Sequence, residues 1–141
     1  MKKLLTVGLV SLGFVSTSVL GSEVRIYSTS KHNIRITVIQ HDSDSQEGKV
    51  VYQSWNKPKR VGQGSPDFVM NGTYHEGPMS HEYTTEYTFK KGNLRFEISD
   101  LGVNHGLVKH PRNVWGEMDI YVNGKKKDHY WVYWENDPLK K

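Results

Sequence analysis

Beyond residue 21, apolar side chains recur at every second position, and no window sustains the 3.6-residue repeat of an amphipathic helix. Tyr83, Thr85, Tyr87 and Phe89 alternate with Glu82, Thr84, Glu86 and Thr88. Leu94, Phe96 and Ile98 then alternate with Arg95, Glu97 and Ser99. Side chains of a strand point to opposite faces in turn, so each run has one apolar face and one wet face. Between them Lys90-Lys91-Gly92-Asn93 has the composition of a turn. Taken as a four-residue loop, it predicts Phe89 opposite Leu94, Tyr87 opposite Phe96, Thr85 opposite Ile98, and Glu86 facing Glu97. A slip of one residue would bury the charges, so the faces are strongly specified.

A second hairpin is predicted from Val114 to Trp134 around Asn123-Gly124, a strong hairpin-turn pair. A two-residue loop carried straight on would set Asp119 against Asp128, a destabilising like-charge pair. A three-residue loop of Asn123, Gly124 and Lys125 sets Asp119 against His129 and Met118 against Tyr130, and that register is expected. Val24 and Ile26, followed by Ile34, Ile36 and Val38, suggest a third hairpin with Ser28 to Asn33 as its loop. Val50 to Trp55 reads as a strand after the polar turn Asp42 to Gly48, and Phe68 to Met70 as a short one. The expected fold is all-β: one antiparallel sandwich or barrel of about seven to eight strands. Asn56 to Ser80 and Asp100 to Asn113 lack regular patterning and read as long connections, which are uncommon in compact domains and tend to be functional.

The first 21 residues read differently. Lys2 and Lys3 precede an uncharged stretch, Leu4 to Leu20, whose apolar part ends near Val15 and gives way to small polar residues. That is the layout of a cleavable export signal, with Val19 and Gly21 suiting cleavage after Gly21. The apolar stretch is too short and too rich in Gly, Ser and Thr for a membrane span, so no stable membrane anchor is expected. Removing residues 1–21 from the 141 leaves 120, enough for one domain (22–141) with a real core. The expected location is the bacterial periplasm or exterior.

Exported domains of this size often rely on disulfides, but this chain has no cysteine. Packing alone, or a second subunit in a homodimer, must hold it. Lys2 and Lys3 leave with the signal, so the 19 basic residues fall to 17 against 15 acidic ones. That balance argues against nucleic acid as a partner.

Motifs that carry chemistry are weak throughout. The seven histidines include no strand-spaced pair and no HExxH, so neither metal nor cofactor is expected. Asp42 to Gly48 has Glu47 where a calcium loop needs glycine and Gln53 where it needs a bidentate Glu, so it reads as a polar turn. No Ser lies in G-x-S-x-G, and Gly62-x-Gly64 precedes no helix that would cradle phosphate. The chain is therefore expected not to be an enzyme.

Aromatic residues are more informative. Tyr130-Trp131-Val132-Tyr133-Trp134 carries large rings on both faces of one strand, which implies a strand buried on both sides or an aromatic contact face. Two long loops, Lys57 to Gly64 and Asn104 to Arg112, could project into a partner's cleft. The residues expected to touch a partner are Arg60, Tyr74, His75, His105, Lys109, His110, Arg112, Trp131 and Tyr133.

In size, leader and β content the chain is similar to small periplasmic β-sandwich inhibitors. These are the lysozyme inhibitors, and the immunity proteins that neutralise toxins delivered by type VI secretion. It lacks the Ser-Gly-x-x-Tyr motif and the paired cysteines of some lysozyme inhibitors, so no residue role is carried over. The resemblance implies a protein that binds another protein, a toxin or a hydrolase, and blocks its active site sterically. A carbohydrate- or envelope-binding module using exposed Trp and Tyr is the alternative.

Overall fold

The computed structural model describes residues 23–42, 44–79, 82–102 and 109–135. The export signal expected over residues 1–21 lies outside them. Eight antiparallel strands follow one another as a meander and close into a barrel. They are β1 (Glu23–Ser28), β2 (His32–Asp42), β3 (Glu47–Asn56), β4 (Phe68–Met79), β5 (Glu82–Lys91), β6 (Leu94–Asp100), β7 (Gly116–Val122) and β8 (Lys125–Glu135). The core is aromatic, with Tyr27, Tyr52, Tyr87, Phe89 and Phe96 buried among Ile34, Ile36, Ile98, Met118 and Val132. An eight-stranded barrel is just wide enough for side chains to fill, and large rings fill this one.

The β5–β6 hairpin has the expected faces but a different register. Phe89 pairs with Phe96 and Tyr87 with Ile98, because the loop is only Gly92-Asn93. Gly92 takes φ 63° at the first loop position, which a II′ turn reserves for glycine. The shift is two residues, so every side chain keeps its face. It also moves Glu86 off Glu97 and onto Ser99.

In β7–β8 the expected pairs, Asp119 with His129 and Met118 with Tyr130, are present. The loop nevertheless has two residues: Asn123 and Gly124 adopt φ 54° and 81°, and Val122 pairs with Lys125. A bulge opposite Ile120/Tyr121 restores the register. The chain thus keeps the favoured Asn-Gly turn and still avoids the Asp–Asp pair.

Two expectations about strands are corrected. Phe68 begins a strand that runs on to Met79 rather than ending at Met70. Its inward positions hold Gly72 and Glu76 as well as Met70 and Tyr74, while Val69 points outward at 42% exposure, so the alternation is hidden in the sequence. Gly72 is needed there because a Cβ would run into the Thr88 carbonyl oxygen and the Phe89 ring. In β1 the apolar residues are on the outside: Val24 is exposed, whereas Arg25 and Tyr27 are buried.

Arg25 is a guanidinium inside a barrel, and its partners come from its own strand and from across the lumen. It donates to Glu23 (2.8 and 3.1 Å), to Glu76 Oε1 on β4 (2.9 Å) and to the Tyr87 hydroxyl on β5 (2.9 Å). Tyr87 in turn bonds the Tyr27 hydroxyl at 2.9 Å, and Thr85 donates to Glu76 Oε2 at 3.2 Å. Burial opposes the charge on Arg25, but its bonds to Glu23 and Glu76 prevail and hold its pKa above the ordinary arginine range. The same bond to Arg25 holds Glu23 below the usual glutamate range. Removing one member of such a buried set strands the others. Arg25→Met should therefore lower stability by about 3 kcal/mol in urea unfolding, and an unchanged midpoint would show that the cluster does not hold β1.

Candidate functional site

A meander places alternate connections at opposite ends of the barrel. The β1–β2 loop, the β3–β4 loop and the β5–β6 and β7–β8 turns share one end. Hydrogen bonds tie these connections in pairs: Lys57 N–H donates to Lys31 O (3.0 Å), Asn123 N–H to Asn93 O (2.9 Å) and Asn93 Nδ2 to Asn123 Oδ1 (2.9 Å).

That end collects basic residues from distant parts of the sequence. The first loop brings Lys31, and the second brings Lys57, Lys59 and Arg60. The two hairpins add Lys90, Lys91 and Lys125–Lys127. Asp67 and Asp128 are the carboxylates of the same loops and strand ends. The opposite end holds Glu23, Asp42, Asp44, Glu47, Glu76, Asp100 and Glu135, against Arg25, Lys49, Lys109 and Arg112. The barrel is therefore strongly polar along its axis, with a positive field at the four-connection end.

The β3–β4 loop is long but well ordered by its own bonds. It folds back over the outer wall, where Trp55 donates from Nε1 to Gly64 O (3.0 Å) and is only 1% exposed. Arg35 stands over that indole, 5.2 Å from the ring centroid. Within the loop, Lys59 N–H reaches Asn56 O, Gln63 N–H reaches Arg60 O, and Arg60 N–H reaches Gln63 Oε1, each at 2.9–3.0 Å. Asp67 closes the base, accepting from Asn56 N–H and from Lys59 Nζ at 2.7 Å each. Asn33 Nδ2 ties Lys59 O to β2 at 2.8 Å. The tip nevertheless remains exposed at Arg60, Gly62, Gln63, Gly64 and Ser65.

His32 lies beside this loop at the barrel mouth. Thr29 Oγ1 accepts the Lys31 and His32 backbone N–H groups at 3.2 and 3.0 Å, so its hydroxyl proton is left for His32 Nδ1 at 3.1 Å. A ring that accepts at Nδ1 carries its neutral-state proton on Nε2. Burial, then the charges of Lys31 and Lys57, hold its pKa below the ordinary histidine value, so it is neutral at pH 7.

The residues expected from sequence to contact a partner separate into several places. Arg60 is on the exposed loop tip just described. Trp131 and Tyr133 are on the outer wall of β8, where they line a groove of about 310 Å3 with Ser28, Ser30, Lys57 and His129. His129 bonds Glu117 at 2.9 Å and meets the Trp131 ring edge-on at 4.8 Å. Lys109, His110 and Arg112 belong to the opposite end, in the β6–β7 connection, and His105 of that connection lies outside the described residues. His75 is on the outer wall of β4, and its Nε2 is buried with no hydrogen-bond partner among the described residues. Tyr74 points into the barrel at 4% exposure and hydrogen-bonds His41 Nδ1, so it is a core residue rather than a contact residue. Sequence reasoning missed Lys31, His32 and Lys91, which only strand order brings to the mouth.

Among the described residues, no three His, Asp or Glu side chains converge tightly enough to hold a metal ion. The Asp42 carboxylate accepts from Asp44 N–H at 3.0 Å, which is an ordinary turn contact.

The chain matches no protein-family model, no curated protein and no solved structure. Its site is therefore read from its own geometry.

The bonds to Lys59 and to Asn56 N–H hold Asp67 below the usual aspartate range. A group lowered on folding contributes fully above its unfolded pKa and loses that contribution as pH falls through the folded value. Hydrogen exchange at Asn56 and across residues 57–64 should accelerate as pH drops below the ordinary aspartate range, after correction for intrinsic rates. Asp67→Ala should produce the same local acceleration at neutral pH while the strand amides stay protected. Equal exchange in Asp67→Ala and the parent would mean that Asp67 does not hold the loop.

Proposed function

We propose that this chain is an exported binding protein that inhibits a partner protein by seating its β3–β4 loop in that partner's active cleft. The partner would be a secreted toxin, which makes the chain an immunity protein, or a cell-wall hydrolase. Inhibition of this kind is steric and needs no catalytic group.

The observation that carries this reading is a loop that is tied down by its own hydrogen bonds and yet exposed at its tip. Ordering a flexible loop on binding costs about 0.5–1.5 kcal/mol for each immobilised side chain. Here Trp55, Asp67 and Asn33 hold the backbone in place before any encounter, and Arg60 stands free on top. Arginine is among the residues that dominate interface energies. A rigid β scaffold that displays such a loop is a common way to present binding residues.

A second reading, the carbohydrate- or envelope-binding module, draws on the Trp131–Tyr133 groove. Its outward rings stand beside hydroxyls and an ionisable pair. Trp134 does not belong to that surface, because its ring packs 5.1 Å from Tyr27 on the lumen side.

The test is a co-purification of the mature protein with the product of the neighbouring reading frame. A 1:1 complex that suppresses the partner's activity is expected. Arg60→Glu should weaken it at least tenfold, about 1.4 kcal/mol, without lowering the melting temperature. An unaffected Kd in Arg60→Glu, or turnover of a substrate by the mature protein itself, would overturn the reading. Retention on peptidoglycan that is lost in Trp131→Ala would favour the second reading in its place.

A further inference from the structure

Two cavities meet at the four-connection end of the barrel. The first is the mouth of the lumen, about 280 Å3, with Phe68, Leu94, Phe96 and Ile120 as walls and Tyr52 and Met118 beneath. The Phe68 and Phe96 rings stack 5.5 Å apart, while Phe68, Leu94 and Ile120 remain partly open to solvent. The second, about 400 Å3, is a polar groove lined by Ser30, Lys31 and Lys57. His32 and Asn56 line both, so the two spaces adjoin.

We propose that this mouth is a binding site for a small amphipathic anion, whose apolar part fills the pit and whose head group lies in the groove against Lys31 and Lys57. The division of the site into an apolar compartment and a cationic one calls for that chemistry. His32, at the boundary, supplies a neutral Nε2–H donor, since its Nδ1 is taken by Thr29. Lys91 adds a third cation at the rim, with its ammonium 5.4 Å from the Phe68 ring centroid. No ion pair engages Lys31, Lys57 or Lys91 among the described residues. Of the carboxylates, Asp67 itself lines the pit but is paired with Lys59, and Asp128 is near enough to favour the charged form of His32. The balance stays cationic. Ligand pockets with an apolar lining and few polar groups at one side orient their ligands in this way. At about 30 Å3 for each water-sized group, the pit holds roughly nine heavy atoms, which matches a chain of about eight carbons. This site is independent of the protein-binding reading, and its test needs no protein partner.

The probes are octanoate, 1-octanol and octyltrimethylammonium, titrated into the mature protein and followed by methyl and amide NMR. Octanoate should saturate with a Kd below about 1 mM, shifting the Leu94, Met118 and Ile120 methyls together with the Lys31 and Lys57 amides. Octanol should bind at least tenfold more weakly, and the cation should not bind. The double variant Lys31→Glu/Lys57→Glu should weaken octanoate at least tenfold and leave octanol unchanged. Ile120→Trp, which fills the pit, should remove both. If that variant fails to fold, the comparison of the three probes on the parent protein still decides. Octyl phosphate binding more tightly than octanoate would assign a phosphate head, and the reverse a carboxylate; either supports the site. Three probes of equal affinity, acetate binding as well as octanoate, or pit methyls that do not shift at millimolar octanoate would each overturn it.

Discussion

Three residue pairs close the barrel among the described residues. There, Ile26, Tyr27 and Ser28 of β1 meet Glu135, Trp134 and Tyr133 of β8, fewer described pairs than in any other ladder of the sheet. With no disulfide available, so short a seam needs help from elsewhere. The help comes across the lumen. The Tyr27 ring packs 4.7 Å from Trp115 and 5.1 Å from Trp134, and its hydroxyl reaches Tyr87. Arg25 ties the same strand to β4 and β5. The closing strand is thus held by what it reaches through the interior as much as by the strand beside it.

The short seam has a second consequence. From Lys125 to Val132, β8 has ladder partners on β7 alone among the described residues, and its outer edge is free there. Free edges invite pairing with other chains unless charge or a bulge prevents it. This stretch carries both, with three successive lysines and the register shift near Ile120 and Tyr121. The lysine run therefore blunts an edge while it contributes to the positive end of the molecule.

The two ends of the barrel are built differently. The Arg25 cluster closes one with paired charges and buried hydroxyls. The other stays open, is ringed with lysine, and is flanked by a loop that is pinned at its base and exposed at its tip. Both binding proposals concern this second end because it combines unpaired charge, accessible apolar surface and a backbone already in place. A partner protein that engages Arg60 and an amphipathic anion in the mouth would be neighbours, so occupancy of one would alter the field felt by the other.

Fold class was legible in the chain because strand alternation is a local signal. The faces of β5 and β6 could be read from residues two apart, and the Asp119–His129 pairing from like-charge avoidance. Loop lengths were less legible, because a two-residue turn with a bulge and a three-residue loop give the same register beyond them. The long β4 strand was hidden where Gly72 and Glu76 occupy inward positions. The buried arginine of β1 was hidden because Val24 and Ile26 mimic a core face. Arg60 is exposed, Trp131 and Tyr133 are half-buried on the outer wall, and Tyr74 belongs to the core. By itself the sequence determined that the chain is all-β, an antiparallel sandwich or barrel without cysteine. Only the tertiary structure decided that its lysines gather at one end and that a pit opens among them. Charge position around a closed barrel depends on strand order and register, which are non-local, whereas alternation is written between neighbouring residues.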